Sequence, residues 1–174
     1  MRKIGFIGCG HMAQALIKGL KSNKSYELLG HDRNSKNIAW LKQEKIASYA
    51  LKEVCHQADI LMICVKPKDM YDLCSEMKTY IGKELKIVSV AAGITLESLK
   101  DALSGGKVYR AMPNIGAKHN LGITSIFSHE ELNEILDIFN YLGKAIVVED
   151  EDKINLHTSL IGSCLLYTSP SPRD

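Results

Sequence analysis

The segment from Lys3 to Ala13, KIGFIGCGHMA, constrains the fold more than any other part of the chain. Ile4, Phe6 and Ile7 form a short apolar run that is typical of a buried parallel strand. The apolar residues that follow recur at helical spacing: Met12, Ala13, Leu16, Ile17 and Leu20. Because the period changes at the glycines, the segment predicts a strand, a Gly-rich turn and a helix.

The glycines of this turn have the spacing of a dinucleotide-binding site. Gly8 permits a tight turn, Gly10 lets the backbone approach the phosphates, and Ala13 allows the helix to pack closely on the strand. The helix N-terminus would then face the pyrophosphate. An ordinary turn between strand and helix, without a ligand, is the alternative. The residues predicted to bind the cofactor here are Ile7, Gly8, Cys9, Gly10, His11 and Met12.

A second part of such a site is expected at the end of the second strand, where a polar residue contacts the adenosine ribose. Asp32 lies at this position, after the predicted strand from Tyr26 to His31, and Arg33 and Asn34 follow it. Asp32 would accept hydrogen bonds from both ribose hydroxyls and favour NAD, whereas Arg33 with Asn34 could hold a 2′-phosphate and favour NADP. A solvated polar turn is the remaining alternative.

Composition excludes several classes of function. The 174 residues carry a net charge of +2 without a basic stripe, so we expect no nucleic-acid partner. The sequence contains no apolar stretch of membrane-spanning length and no signal peptide, so we expect a cytoplasmic protein without a membrane partner. Cys9, Cys55, Cys64 and Cys74 form no Cys-x-x-Cys pair, which predicts reduced thiols with structural roles. The histidines are scattered, and we expect no metal site.

Strand and helix patterns alternate through the first hundred residues. This alternation predicts an α/β fold with a Rossmann-like, doubly wound and mostly parallel sheet. Three later strands end in small or rigid residues, at the edge of the sheet where ligands bind in such folds. Further along, Ser128 to Glu131 has the pattern of a capping box for a following helix. The three strand ends are Val65-Lys66-Pro67, Ala91-Ala92-Gly93 and Met112-Pro113-Asn114.

The end of the chain differs in character from the rest. The acidic run from Glu149 to Asp152 marks a predicted boundary, with a dinucleotide-binding domain over 1–150 and the first turns of a truncated helical domain over 151–163. Residues 164–174 can be back-translated in a single frame into a transposase adapter used to prepare sequencing libraries. We therefore expect this segment to be a non-native tail; a genuine Ser-Pro tail is the alternative.

Four segments together resemble the pyrroline-5-carboxylate reductase family. They occur in the family's order and at its intervals: Gly5 to Met12, Val65 to Pro67, Ser89 to Thr95 and Arg110 to Asn114. Members of that family reduce the cyclic imine 1-pyrroline-5-carboxylate to L-proline with NADPH or NADH, the last step of proline biosynthesis. Their nucleotide domain precedes an all-helical C-terminal domain that forms the dimer and most of the imine site.

The resemblance implies a role for each matching position. Gly8 to Met12 would hold the pyrophosphate, and Asn34 with Arg33 would lie at the adenosine ribose. The later strand ends would line the rest of the groove. The positions carried over from the family are Cys64, Val65, Lys66 and Pro67 along the cofactor groove, Val90, Ala91 and Ala92 beside the nicotinamide, and Pro113 and Asn114 near the point of hydride transfer. Gly93 belongs to the same predicted set as Val90 to Ala92.

The implied chemistry does not demand a catalytic acid in this domain. A ring imine that is protonated near neutral pH is already electrophilic, so positioning is the larger task, and we assign no catalytic residue. The resemblance also implies a homo-oligomeric parent protein that acts on a small-molecule imine. Two alternatives are another nicotinamide-dependent oxidoreductase of the β-hydroxyacid dehydrogenase type and a nucleotide-binding fragment without activity.

Overall fold

The computed structural model describes residues 1–161, and the surroundings of side chains up to residue 156. Strands and helices alternate along most of this range. The strands are β1 Arg2–Ile7, β2 Tyr26–His31, β3 Ala47–Ser48, β4 Ile60–Ile63, β5 Lys86–Ser89, β6 Lys107–Met112, β7 Gly122–Phe127 and β8 Gly143–Val147. The helices are α1 His11–Leu20, α2 Ser35–Gln43, α3 Leu51–Gln57, α4 Met70–Met77, α5 Leu96–Leu103, α6 Asn133–Tyr141 and α7 Asp152–Ile161. Short 3-10 turns occupy Pro67–Asp69 and Ile115–His119.

All eight strands form one sheet in the order β3-β2-β1-β4-β5-β6-β7-β8. The first six strands are parallel, β7 runs antiparallel to β6, and β8 is parallel to β7. The chain adds β2 and β3 on one side of β1 and then returns to place β4 on the other side. A crevice therefore opens between β1 and β4 at the carboxyl ends of the strands, the usual ligand position in open α/β sheets. The prediction of a Rossmann-like, mostly parallel sheet is confirmed.

Apolar cores on both faces of the sheet explain why its central strands carry few polar residues. In β4, Ile60 and Met62 point into one core and Leu61 and Ile63 into the other, and all four side chains are buried. Helices α1 and α6 cover the first face, and α3, α4 and α5 cover the second. A strand covered on both sides requires a continuous apolar sequence, as in parallel sheets generally.

The capping box predicted at Ser128 is wrong. Helix α6 begins at Asn133, after Leu132 as its N-cap residue. The Ser128 hydroxyl instead donates to the carbonyl oxygen of Val108 at 2.7 Å and accepts from the amide of Glu130 at 3.1 Å. The Ser-x-x-Glu pattern therefore stabilises a turn between β7 and α6, because the tertiary contact with β6 competes with local capping.

An ion pair between a buried arginine and a partly exposed glutamate fixes the segment that precedes α7. Arg110 on β6 is 2% exposed, and its Nη1 donates to Oε1 of Glu151 at 2.7 Å. The same carboxylate oxygen accepts from the amide of Leu96, the first residue of α5, at 2.6 Å. Ile154, one turn into α7, is fully buried in the core that α5 also covers. The predicted boundary at residue 150 thus lies next to a segment that packs on the sheet.

Residues 1–161 contain neither a membrane-spanning helix nor a disulfide bond. Within this range no helix is both long and apolar enough to cross a membrane. The four cysteines of this range, Cys9, Cys55, Cys64 and Cys74, are free thiols, as the sequence predicts. The adapter-like segment, residues 164–174, lies outside the described residues.

Candidate functional site

The Gly-rich turn joins β1 to α1 in the predicted way. Gly8 follows β1 with φ +82°, a backbone conformation that favours glycine. A Cβ at this position would lie 2.8 Å from Cγ1 of Val65 and 3.0 Å from the Val65 amide nitrogen. Gly8 is therefore required both for the turn and for the close approach of the segment after β4.

Gly10 has a different role, because it borders open space. A Cβ on Gly10 would meet no atom within 4 Å. Gly10 is also the N-cap residue of α1, where no side chain accepts a hydrogen bond from the first turn and no acidic residue lies in that turn. The N–H groups of this turn therefore have no capping side chain, and they border open space that could hold a ligand. This arrangement fits an anionic group such as a pyrophosphate.

A cleft of about 400 Å³ lies against this turn, between the carboxyl ends of β1, β2 and β4. Nine of the predicted site residues line it, together with five residues that the sequence did not indicate. The predicted residues are Ile7, Gly8, Gly10, Asp32, Arg33, Asn34, Cys64, Val65 and Lys66. The additional ones are His31, Asn37, Lys68, Asp69 and Leu73.

Asp32 holds the Gly-rich turn. Its Oδ2 accepts from the amide of Cys9 at 2.6 Å and from Nδ2 of Asn37 at 2.8 Å, and its Oδ1 accepts from the amide of Asn34 at 2.7 Å. The carboxylate predicted to contact the ribose thus has three donors from the protein. The contact with Asn34 is an Asx turn, whose local signature is visible in the sequence, but the contact with Cys9 requires the fold.

The two residues after Asp32 also have partners within the protein. Nη2 of Arg33 donates to Oε2 of Glu76 on α4 at 2.6 Å. Oδ1 of Asn34 accepts from the amide of Lys36 at 2.9 Å, so Asn34 is the N-cap of α2. This cap is an addition to the predicted features, although Asn is among the preferred N-cap residues. Both side chains remain at the rim of the cleft.

The cysteines at the site are poor nucleophiles. Burial, together with the nearby Asp32 carboxylate, raises the pKa of the Cys9 thiol to about 12. Burial also raises the pKa of the Cys64 thiol, which lies close enough to Cys9 for the two to interact. Because the thiolate is the reactive form, both side chains are inert near neutral pH. Both side chains also pack in or against the apolar core beneath α1.

The residues predicted for the nicotinamide half lie at the same edge of the sheet but outside the lining of the cleft. Val90 to Gly93 follow β5, and Gly93 has φ +73° with open space where a Cβ would be. Pro113 is buried after β6, and Oδ1 of Asn114 accepts from the amide of Ile123 at 3.1 Å. Four other predicted residues also lie outside the lining: Cys9, His11, Met12 and Pro67. The assignment of these positions to the cofactor stays a prediction.

A larger cavity, of about 680 Å³, lies at the opposite, amino-terminal edge of the sheet. Its basic side chains are paired with acidic ones: Arg2 and Lys86 both contact Glu134, and Nζ of Lys107 donates to Oε2 of Glu84 at 2.7 Å. Volume alone would favour this cavity as the site. The smaller cleft is the better candidate, because it joins open space to backbone donors that have no capping side chain.

Comparisons with known proteins agree with this geometry. Residues 3–93 match the model of the family described as NADP oxidoreductase, coenzyme F420-dependent. The chain is 34% identical over 160 residues to the pyrroline-5-carboxylate reductase of Escherichia coli K12, an alignment that covers 86% of this chain and 60% of that protein. It is 31% identical over 186 residues to the pyrroline-5-carboxylate reductase of Methanosarcina acetivorans, with 97% of this chain and 66% of that protein covered.

A solved structure gives the same result. The pyrroline-5-carboxylate reductase of Coxiella burnetii superposes with a TM-score of 0.84 at 25% identity, covering 95% of this chain and 65% of that one. The resemblance proposed from the sequence is thus confirmed, although the chain spans only about 60 to 66% of the length of these proteins. Since the family match extends from β1 to the loop after β5, more than half of the residues, the chain belongs to the family of NADP oxidoreductases, coenzyme F420-dependent.

Proposed function

We propose that this chain binds NADPH or NADH in the cleft beside Gly10 and forms the hydride-donor half of a pyrroline-5-carboxylate reductase. The observation that carries the nucleotide-binding proposal is the start of α1, where open space at Gly10 meets backbone donors without a capping side chain. The imine substrate is proposed from the likeness to the reductases of E. coli, M. acetivorans and C. burnetii.

The order of strands along the carboxyl edge supports an extended dinucleotide. The ends of β2, β1, β4, β5 and β6 follow one another along this edge. The adenosine ribose would lie at the end of β2, beside Arg33, and the pyrophosphate at the start of α1. The nicotinamide would lie beyond β4, near Val90 to Gly93, where small residues leave room for a flat ring.

The bound nicotinamide would supply a hydride, and the residues of this chain would position it. Lys66 lines the cleft and is exposed at the end of β4. Its ammonium is suited to a hydrogen bond with the cofactor or with a backbone carbonyl. Reduction of a protonated imine needs a hydride set against the ring carbon more than it needs an acid from this domain. A site formed by glycine, alanine and proline at the nicotinamide end is consistent with that requirement.

The parent protein would be longer than this chain and would contain a second, helical domain. We propose a division into a nucleotide domain over 1–150 and a helical segment that begins at 151, with substrate binding and homo-oligomer formation in the helical part. The free thiols within residues 1–161 favour a reducing compartment such as the cytoplasm.

Gly10→Val tests the nucleotide site directly. Gly10 has φ −75° and ψ −165°, an extended conformation that valine adopts readily, and the Cβ of the new side chain would meet nothing within 4 Å. The chain should therefore fold normally and bind NADPH about tenfold or more weakly, measured by nicotinamide fluorescence. Gly82→Val is the matched control, because a Cβ at Gly82 also meets nothing within 4 Å and Gly82 lies at the amino-terminal edge.

Equal NADPH affinities for the two variants would contradict the proposed nucleotide site. The substrate half is tested separately, by imine-dependent oxidation of NADPH with the full-length gene product. A parent enzyme that oxidises NADPH while reducing a 3-oxo acid to the 3-hydroxy acid, but not with the cyclic imine, would favour the β-hydroxyacid dehydrogenase alternative. Nucleotide binding without turnover of either substrate would favour a module that only binds.

A further inference from the structure

The ion pair between Arg33 and Glu76 connects the two walls of the cleft. Arg33 follows β2 on the wall formed by residues 31–37, and Glu76 belongs to α4, the helix that follows the opposite wall at residues 64–69. Their side chains are 71% and 46% exposed, so the pair lies at the solvent side of the cleft. From this position we infer that Glu76 is a selectivity determinant that disfavours a nucleotide with a 2′-phosphate relative to one with a 2′-hydroxyl. The inference rests on the proposed nucleotide-binding function.

Three polar residues, Asp32, Arg33 and Asn34, lie together after the end of β2. Asp32 already accepts hydrogen bonds from the amides of Cys9 and Asn34, and the Asn34 side chain caps α2. Of these three neighbouring residues, Arg33 is the one with a cationic group at the rim. A guanidinium binds a phosphate and a carboxylate with the same fork of N–H donors, so Glu76 competes with a 2′-phosphate for it.

The negative charge of Glu76 also acts directly on a bound 2′-phosphate. A 2′-phosphate beside Arg33 would also lie near the Glu76 carboxylate, and like charges repel. A 2′-hydroxyl is neutral and meets no such penalty, so NADH can bind while the ion pair stays intact. Competition for the donors and repulsion by the acid therefore act in the same direction, against NADPH. This is discrimination by a repulsive group rather than by an added contact.

Glu76→Gln separates these effects from general binding. The substitution removes the charge while keeping the size of the side chain, and it leaves Arg33 free for the phosphate. We expect the ratio of the NADPH to the NADH dissociation constant to fall about two- to fivefold, in the range of an exposed ion pair at low ionic strength. The NADH dissociation constant should stay within about twofold of the original value.

Two further variants complete the test. Asp101→Asn, on the exposed side of α5, removes the same charge far from the cleft and should leave the ratio unchanged. In an Arg33→Gln background, Glu76→Gln should no longer improve the ratio, because the guanidinium through which it acts is absent. All measurements use the full 174-residue chain, with nicotinamide fluorescence as the readout and melting temperature as the check on folding.

An unchanged ratio in Glu76→Gln would overturn the inference while leaving the proposed function intact. A rise in the NADPH dissociation constant would also overturn it, since Glu76 would then orient Arg33 for the phosphate. Binding of neither nucleotide to the unsubstituted chain would contradict the proposed function itself, and the inference with it.

Discussion

Helices α1 and α5 both begin at the carboxyl edge of the sheet, but only in α5 do side chains accept hydrogen bonds from the amides of the first turn. In α5, Oγ1 of Thr95 accepts from the amide of Ser98 at 3.2 Å, and Oε1 of Glu151 accepts from the amide of Leu96 at 2.6 Å. In α1, Gly10 supplies no acceptor, and the space beside it is open. One helix end is thus capped by side chains that stabilise the fold, whereas the other has uncapped N–H groups beside open space, which is where we propose that the anionic pyrophosphate binds.

The largest expected change in stability comes from a substitution at the capped first turn of α5. Glu151→Ala removes the partner of a buried guanidinium and one cap of α5 at once. We expect the free energy of unfolding to fall by about 3–5 kcal/mol, the usual cost of leaving one member of a buried ion pair uncompensated. Urea denaturation measures this change. Glu149→Ala, at an exposed position nearby, is the control, and a loss below about 1 kcal/mol for Glu151→Ala would show that Arg110 finds another partner.

Asp32→Ala would remove the side chain that supports the Gly-rich turn at the start of α1. It removes the acceptor for the amides of Cys9 and Asn34, so we expect a loss of about 1–3 kcal/mol in stability. NADPH and NADH should both bind more weakly and by similar factors, because the whole turn loses its support. Selective weakening of NADH in a fluorescence titration would instead indicate that Asp32 contacts the ribose, as the sequence alone suggested.

Gly10→Asp would convert α1 into a capped helix. Aspartate at the N-cap is preferred over glycine by a few tenths of a kcal/mol, so the melting temperature should stay the same or rise slightly. A carboxylate where the pyrophosphate would lie should weaken NADPH binding about tenfold or more. A melting temperature that holds or rises while the NADPH affinity falls distinguishes a ligand site from a structural turn. An unaltered dissociation constant would show that the pyrophosphate lies elsewhere.

The smallest effect is expected for Thr95→Ala. The substitution removes one side-chain cap of α5 but leaves Glu151 in place. Loss of a threonine cap typically costs about 1 kcal/mol, which urea denaturation can resolve. Combining it with Glu151→Ala should give a non-additive loss, because both residues act on the same helix turn. Losses of stability that are strictly additive would show that Thr95 and Glu151 stabilise the helix independently.

Local patterns predicted most of the elements because each pattern depends on neighbouring residues. The change of period at Gly8 marks the boundary between β1 and α1. The Ser128 prediction was wrong because its hydroxyl has a partner on β6, which no local pattern shows. The partners of Arg33 and Glu151 were missed for the same reason, since each lies more than forty positions away along the chain.

The sequence by itself determined the class of fold and indicated the place at which we propose the nucleotide site, since apolar periodicity and glycine spacing are set by residues close together in the chain. Only the tertiary structure decided how the polar groups at that site are used. Asp32 supports the turn, Arg33 pairs with Glu76, and the first turn of α1 has no capping side chain. The physical reason is that a hydrogen bond depends on distances of about 3 Å between atoms, and the fold alone brings residues far apart in sequence that close.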